Sequence, residues 1–198
     1  MSSALNRSVC GLVLAAGGSI RLGWPKQLLP YKGTTLLGYV LDNAHACGFD
    51  QLVVALGGSV DEVRAGVDLN GAEVVENEDF GEGCSSSIGA ALQVVDPRCD
   101  VLVLMLGDQP GVGPTHVRTL LARRHGAPIA VCRYDDGVGH PFAFDRSVFG
   151  ELAELHGDKG VWKLIESRDD VTEVRLGGTV PRDIDTWDDY EDLAAAPQ

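Results

Sequence analysis

The sequence predicts an α/β fold of three layers, in which helices cover both faces of a mainly parallel central sheet. Short apolar runs alternate with amphipathic stretches along most of the chain, as in strands joined by crossover helices. The run VLVLML at 101–106 is apolar at every position, which is typical of a central strand buried on both faces. Glycine pairs such as Gly17-Gly18 and Gly57-Gly58 follow two of the apolar runs and indicate tight turns at strand ends.

The predicted elements follow in the order that this fold requires. Strands are predicted at short apolar runs bounded by turn residues: 9–16, 51–56, 72–76, 101–106, 128–133 and 142–144. Helices are predicted at amphipathic stretches: 34–47, 60–67, 84–95, 114–125, 151–156 and 187–196. Asp135-Asp136-Gly137 is a predicted turn, and Thr186 is expected to cap the last helix.

Length and composition fit one globular domain. A chain of 198 residues, 44% of them apolar, can bury a substantial core. No run reaches the ~18 apolar residues of a membrane span, and residues 1–8 lack the apolar core of a signal peptide. The five cysteines are scattered and form no CxxC pair, so we expect reduced thiols. These features predict a cytoplasmic protein with no membrane partner.

Charge is distributed unevenly along the chain. The net charge is −13, yet residues 1–41 contain no acidic residue and four basic ones, Arg7, Arg21, Lys26 and Lys32. A cluster of one sign focuses the local potential whatever the net charge, so this segment favours an anion site. The acidity of the rest argues against nucleic acid as a partner.

The segment LVLAAGGSIRLGWPKQLLPYKG at 12–33 has the composition of a phosphate-binding loop. Glycines let backbone N–H groups approach an anion, and Arg21 and Lys26 can neutralise its charge. An ordinary strand-to-loop junction with solvated cations remains the alternative reading of the glycine pair. Trp24 stands where a Walker A motif requires lysine, which excludes a P-loop kinase, and no complete GxGxxG dinucleotide fingerprint is present.

This segment resembles the signature of the molybdenum cofactor cytidylyltransferases and related guanylyltransferases, a family of NTP transferases. The matching positions are Leu14, Ala15, Ala16, Gly17, Ser19, Arg21, Gly23, Lys26, Leu28 and Leu29. The resemblance implies a single NTP transferase domain over 1–198 with a Rossmann-like sheet of the nucleotide-diphospho-sugar transferase type. It implies a nucleotide side at about 1–110 and an acceptor side at about 111–198. The nucleotide-binding residues that it implies in the first loop are Leu14, Ala15, Ala16, Gly17, Gly18, Ser19, Arg21 and Lys26.

A second loop, at 77–87, matches the same family. Serines at the start of a helix can simply cap it, and GxSxG fails here, which argues against a serine hydrolase. The family's loop contacts the nucleotide base, and Asn77, Asp79, Gly83 and Ser87 have its spacing.

Two aspartates lie where a metal could be held. Asp108 follows the most apolar strand, at the sheet edge where ligands bind, although a turn-forming Asp before Pro110 is the plain alternative. Asp185 belongs to Arg182-Asp183-Ile184-Asp185-Thr186, which could also be a set of acidic residues ahead of a helix. The resemblance implies that Asp108 and Asp185 bind Mg²⁺. On the acceptor side it implies His140, Asp158 and Lys159, from Gly-His-Pro and Gly-Asp-x-Gly motifs.

The predicted reaction is the transfer of CMP from CTP to a phosphorylated acceptor, with Arg21, Lys26 and Asp108 as catalytic residues. The resemblance associates the sequence LAAG with CTP and the sequence LAGG with GTP. It also implies that the acceptor is molybdopterin carrying molybdenum and that a molybdoenzyme is a possible client. The second ionisation of a phosphate has a pKa near ~6, so it needs no general base. The alternatives are transfer of CMP or GMP to another phosphorylated small molecule, a glycosyltransferase, and a non-catalytic nucleotide-binding partner of molybdoenzymes.

Overall fold

The computed structural model describes residues 7–195, and this part of the chain contains nine strands. They are β1 (Val9–Ala15), β2 (Pro30–Tyr31), β3 (Thr34–Thr35), β4 (Gln51–Leu56), β5 (Glu73–Glu76), β6 (Val101–Leu106), β7 (Ile129–Arg133), β8 (Val138–Asp145) and β9 (Val171–Arg175). Seven of them form one sheet in the order β5-β4-β1-β6-β8-β7-β9, and β2 pairs with β3.

Helices cover both faces of this sheet. They are α1 (Leu36–His45), α2 (Val60–Gly66), α3 (Cys84–Leu92), α4 (Pro114–Arg123), α5 (Phe149–Ala153), α6 (Gly160–Glu166) and α7 (Trp187–Ala195). The apolar faces of α1, α2 and α4 belong to one hydrophobic cluster, and those of α3, α5 and α6 belong to a second. The three-layer fold is therefore confirmed.

Alternation along the strands explains why the core has two halves. In β6, Val103 and Met105 belong to the first cluster, whereas Leu102 and Leu104 belong to the second. Successive side chains of a strand point to opposite faces, so an uninterrupted apolar run supplies both halves. β6 lies at the centre of the sheet as predicted, between β1 and β8.

One strand of the main sheet runs against the others. β1 is parallel to β4 and β6, whereas β8 is antiparallel to both β6 and β7. The amino end of β8 therefore lies at the same edge as the carboxyl ends of the parallel strands. This reversal brings His140 to the edge where α/β proteins bind ligands.

Several boundaries differ from the prediction. The first helix begins two residues late, because Thr34 and Thr35 form β3 and the Thr35 side chain accepts a hydrogen bond from Gly38 N. The strand predicted at 142–144 extends over Val138–Asp145, and the helix predicted at 151–156 lies at Phe149–Ala153. Both α6 and β9 are additions that the sequence did not reveal. Position 196 of the last predicted helix lies outside the described residues.

Two other predictions concern the state of the cysteines and the presence of a membrane-spanning helix. All five cysteines are free, and three of them are buried. None of the helices within 7–195 has the length and apolar character needed to cross a membrane.

Candidate functional site

The site lies at the carboxyl edge of the sheet, beside β1 and β6. From β1 the chain proceeds to β4 and β5 on one side of the sheet and then returns to β6 on the other. Such a switch point opens a crevice, and ligands of open α/β sheets bind there. A Cβ added at Gly107 would lie 2.8 Å from Ala15 Cβ, so only glycine lets the loop after β6 lie this close to β1.

The loop after β1 is held in shape by two side chains within the same segment. Gln27 is 4% exposed, and its Nε2 donates to Ala15 O at 2.7 Å and to Gly17 O at 3.2 Å. Ser19 Oγ accepts from Lys26 N at 2.9 Å, with Ser19 in a left-handed conformation (φ 50°). The loop is thereby folded back on itself, and Lys26 is fixed at its end.

Lys26 lies between two carboxylates that are far apart in the chain. Its Nζ is 2.5 Å from Asp108 Oδ2 and 2.9 Å from Asp185 Oδ1. Burial disfavours the ammonium, but the charges of the two aspartates and their hydrogen bonds outweigh it, so the pKa of Lys26 is raised. The hydrogen bond from Lys26 lowers the pKa of Asp185. Arg21 is more exposed and pairs with Asp185 at 3.2 Å.

Three cavities meet at this cluster. The inner cavity, of 190 Å³, is lined by Leu14, Ala15, Ala16, Gly17, Lys26, Gln27, Phe80, Gly83, Cys84, Ser87, Leu106, Gly107, Asp108 and Asp158. The outer cavity, of 640 Å³, is lined by Gly17, Gly18, Ser19, Ile20, Arg21, Lys26, Gly58, Phe80, Gly81, Gly83, Asp158 and Asp185. The lateral cavity, of 610 Å³, shares Arg21 and Asp185 with the outer one. Lys26 lines the inner and outer cavities, and Asp185 the outer and lateral ones.

The loop at 77–87 forms one wall of the inner cavity. Asn77 Nδ2 donates to Ser86 Oγ at 2.8 Å and to Ser87 Oγ at 2.9 Å, and Asn77 Oδ1 accepts from Asp79 N. Asn77 is buried and lines none of the three cavities, so it positions the serines. Ser87 is 2% exposed and lines the inner cavity. Ser87 Oγ accepts from Asn77 and donates to no residue within 7–195, so its hydroxyl proton is available to a ligand.

The lateral cavity lies on the other side of Asp185. It is lined by Arg21, Leu106, Gln109, Val138, Gly139, His140, Trp162, Val180, Pro181, Arg182, Asp183, Asp185 and Asp189. The His140 ring is 4.2 Å from that of Phe142, and burial lowers the pKa of His140 to about 4, so it is neutral at pH 7. Gln109, 3% exposed, donates to Pro181 O at 3.1 Å and to Asp183 Oδ1.

The structure separates the three residues that the sequence assigned to the acceptor side. His140 lines the lateral cavity, whereas Asp158 lines the inner and outer cavities beside Gly83. Lys159 is exposed and lines none of the three. The residues predicted for the nucleotide side do come together, apart from Asn77 in its supporting position.

Four residues of the site were not singled out from the sequence: Gln27, Phe80, Gln109 and Trp162. The sequence partly indicates the role of Gln27, because an amide next to Lys26 in an otherwise apolar turn needs hydrogen-bond partners when it is buried. The other three acquire their roles through contacts between distant segments, which no local pattern encodes.

Comparison with known proteins identifies the family. Residues 11–171 match the MobA-like NTP transferase domain. The chain belongs to this family. As a MobA-like NTP transferase it is a nucleotidyltransferase, and its first-loop signature lies within the matched region.

Two relatives show how far this similarity extends. Rv0371c from Mycobacterium tuberculosis H37Rv is 54% identical, with a TM-score of 0.91, and the alignment covers 96% of this chain and 98% of that one. A complex of the same protein with manganese has a TM-score of 0.85 at 53% identity, over 94% of this chain and 97% of that one. Nicotine blue oxidoreductase from Paenarthrobacter nicotinovorans is 32% identical over 77% of this chain and 78% of its own length.

Proposed function

We propose that this MobA-like NTP transferase moves CMP from CTP onto the terminal phosphate of molybdopterin carrying molybdenum, and releases pyrophosphate. The observation that carries the proposal is the position of the Lys26–Asp108–Asp185 cluster, where the inner, outer and lateral cavities meet. The inner cavity would hold the base, the outer cavity the phosphates and the lateral cavity the acceptor. An acceptor phosphate entering from the lateral side then faces the α-phosphate beside Lys26.

Lys26 and Arg21 supply the positive charge that this reaction needs. The acceptor oxygen forms a bond to the α-phosphorus while the bond to the β-phosphate oxygen breaks. Lys26 would stabilise the charge on the α-phosphate, and Arg21 with the N–H groups of Gly17, Gly18 and Ser19 would hold the β- and γ-phosphates. Such transfer depends mainly on positioning and electrostatic stabilisation. Because His140 is neutral, it can orient an acceptor without adding charge.

The chemistry of the cluster also fits a divalent cation, for which we propose Mg²⁺. Asp108 and Asp185 converge on one Nζ, and carboxylate oxygens are the ligands that Mg²⁺ prefers. Mg²⁺ is commonly held by one or two carboxylates together with phosphates and water, and these two aspartates can supply the carboxylates. When bound, the metal would neutralise charge on the phosphates. For the metal to bind, the Lys26 ammonium must release at least one of the two carboxylates. It would then pair with the α-phosphate of the nucleotide.

The inner cavity favours a small base. Ala16 lines this cavity and carries a methyl group that glycine would lack, which leaves less room beside the strand. Cytosine is therefore the base that we propose.

A second candidate function comes from a relative's name. Nicotine blue oxidoreductase is 32% identical over 78% of its own length, so a redox activity of the same site, in addition to nucleotidyl transfer, is the second candidate. The anionic ligand would then be the pyrophosphate of a dinucleotide. Only transfer produces pyrophosphate from CTP, which separates the two. Transfer to another phosphorylated acceptor is a further alternative.

Thermal unfolding with Mg²⁺ and either CTP or GTP tests the nucleotide assignment. A ligand at ~100 times its dissociation constant adds about 2.7 kcal/mol, or roughly 5–10 °C for a chain of this size. We expect CTP to raise the midpoint more than GTP, and Asp108→Asn to abolish the increase. Asp42→Asn, which removes the same charge from the exposed face of α1, is the control and should respond like the wild type. A larger increase with GTP, or none with either nucleotide, would contradict the assignment.

A further inference from the structure

Asp158 occupies a position that no part of the proposed transfer explains. It is one of five residues that line both the inner and the outer cavity, with Gly17, Lys26, Phe80 and Gly83. Among these five it alone carries a carboxylate. A nucleotide with its base in the inner cavity and its phosphates in the outer one must place its ribose where the two cavities join.

The segment that carries Asp158 is firmly docked. Asp158 Oδ1 accepts from Cys84 N at 3.1 Å, and Cys84 Sγ donates to Asp158 O at 3.1 Å. Ser85 Oγ donates to Gly157 O at 2.6 Å. A Cβ at Gly83 would lie 2.5 Å from Asp158 N, so only glycine allows the two segments to pack this closely. The carboxylate is thus fixed at the start of α3.

One oxygen of this carboxylate is still available. Within the described residues Oδ1 is held by Cys84 N, whereas Oδ2 has no hydrogen-bond donor and no cationic partner. An ionised carboxylate only accepts hydrogen bonds. A nucleoside triphosphate offers two kinds of donor, the amino or imino groups of the base and the ribose hydroxyls. Ser87 is buried and lines only the inner cavity, where the base would lie, whereas Asp158 is exposed and lies nearer to solvent, where the sugar edge of the ligand would lie.

We propose that Asp158 accepts a hydrogen bond from a ribose hydroxyl and makes this enzyme selective for ribonucleotides. The inference rests on the proposed function, because it needs the nucleotide in these two cavities. It assigns Asp158 to the nucleotide, away from the acceptor. It also gives a reason for a negative charge beside a polyphosphate site, since a hydroxyl donor offsets the repulsion.

Binding measurements with matched nucleotides test this role. Dissociation constants of CTP, 2′-deoxy-CTP, 3′-deoxy-CTP and UTP would be measured with Mg²⁺ by calorimetry, without acceptor. For the wild type we expect CTP to bind ~10- to 100-fold more tightly than at least one deoxynucleotide, the range for a hydrogen bond to a charged group. In Asp158→Ala the preference should fall to within about threefold. Asp158→Asn retains an oxygen for Cys84 N and checks that lost selectivity does not reflect a displaced α3.

A control variant separates docking from recognition. Ser85→Ala removes the bond to Gly157 O and leaves the carboxylate in place. It should lower the unfolding midpoint and keep the preference for CTP over the deoxynucleotides. Equal binding of CTP and both deoxynucleotides by the wild type would overturn the inference and leave the proposed function intact. A change in the CTP to UTP ratio alone, in Asp158→Ala, would overturn it in favour of base recognition. Failure of every nucleotide to bind would overturn both this inference and the proposed function.

Discussion

The nucleotide side and the lateral side of the site are assembled in different ways. The loop after β1 brings its glycines, Arg21, Lys26 and Gln27 from one continuous stretch of sequence. The lateral cavity draws Gln109, His140, Trp162 and Asp183 from four separate segments. A contiguous loop can be recognised from its residue pattern, whereas a site built from four segments depends on the fold.

On both sides, nevertheless, a buried glutamine holds a loop in place through hydrogen bonds. Gln27 donates twice to the loop that carries Lys26, and Gln109 donates to the segment that carries Asp185. In both, Oε1 is buried and accepts no hydrogen bond from the residues at 7–195. A buried acceptor that lacks a donor is unfavourable by about 1–3 kcal/mol. Two different loops are therefore held by buried amide donors, which position Lys26 and Asp185.

The largest effect should come from the residue that joins the two sides. Lys26→Met should lower kcat by about 10²–10³-fold, because the ammonium group that would stabilise the charge on the α-phosphate is lost. The same variant should bind Mn²⁺ about tenfold more tightly in the absence of nucleotide, since Asp108 and Asp185 lose a competing cation. Mn²⁺ binding can be followed by electron paramagnetic resonance. Lys32→Met, outside the three cavities, is the control, and weaker Mn²⁺ binding in Lys26→Met would refute the competition.

The next effect concerns the lateral side and pH. Burial gives His140 a folded pKa of about 4, below the ordinary histidine value of 6.5, so the unfolded chain takes up the proton first as pH falls. The free energy of unfolding should therefore decrease by about 3 kcal/mol from this group between pH 7 and pH 4. His140→Phe should be less stable at pH 7 through altered packing, but the difference from wild type should narrow towards pH 4. Urea titrations between pH 7 and pH 4 measure this difference in the free energy of unfolding. If the wild type and His140→Phe showed the same dependence on pH, that would argue against a buried neutral His140.

The smallest effects should separate the two glutamines. Gln27→Met should weaken CTP binding about tenfold through the loss of two hydrogen bonds, without changing the KM for the acceptor. Gln109→Met should raise the KM for the acceptor by a similar factor and leave CTP binding unchanged. Calorimetry with CTP and steady-state kinetics report the two quantities. If both variants changed the same quantity, the division into a nucleotide side and a lateral side would fail.

The sequence predicts the nucleotide half of the sheet well, and less of the other half. The strands β1, β4 and β6 are long apolar runs, so their pattern is unambiguous. The helix α6 has seven residues and follows Gly157-Asp158-Lys159, a turn that masks its start. The strand β9 has five residues and lies at the sheet edge, where only one is buried. The Asp135-Asp136-Gly137 turn could have indicated the antiparallel β8, since a short turn joins antiparallel strands.

The same distinction holds for the site residues. Lys26 and Asp108 could be predicted to share a site, because both follow parallel strands that end at one edge. The position of Asp158 could not be predicted, because its distance from Gly83 depends on how the segment before α6 packs against α3. Contacts of that kind span more than seventy residues, and neither spacing nor periodicity encodes them.

The measurement that tests the central claim most directly is transfer of a labelled phosphate. The protein would be incubated with Mg²⁺, molybdopterin carrying molybdenum, and CTP labelled at either the α- or the γ-phosphate. We predict that the α-label appears in the acceptor product and the γ-label in pyrophosphate, and that Lys26→Met slows the appearance of both by about 10²–10³-fold. Label that stays in CTP while the nucleotide binds, or release of the γ-label as inorganic phosphate, would contradict nucleotidyl transfer to this acceptor.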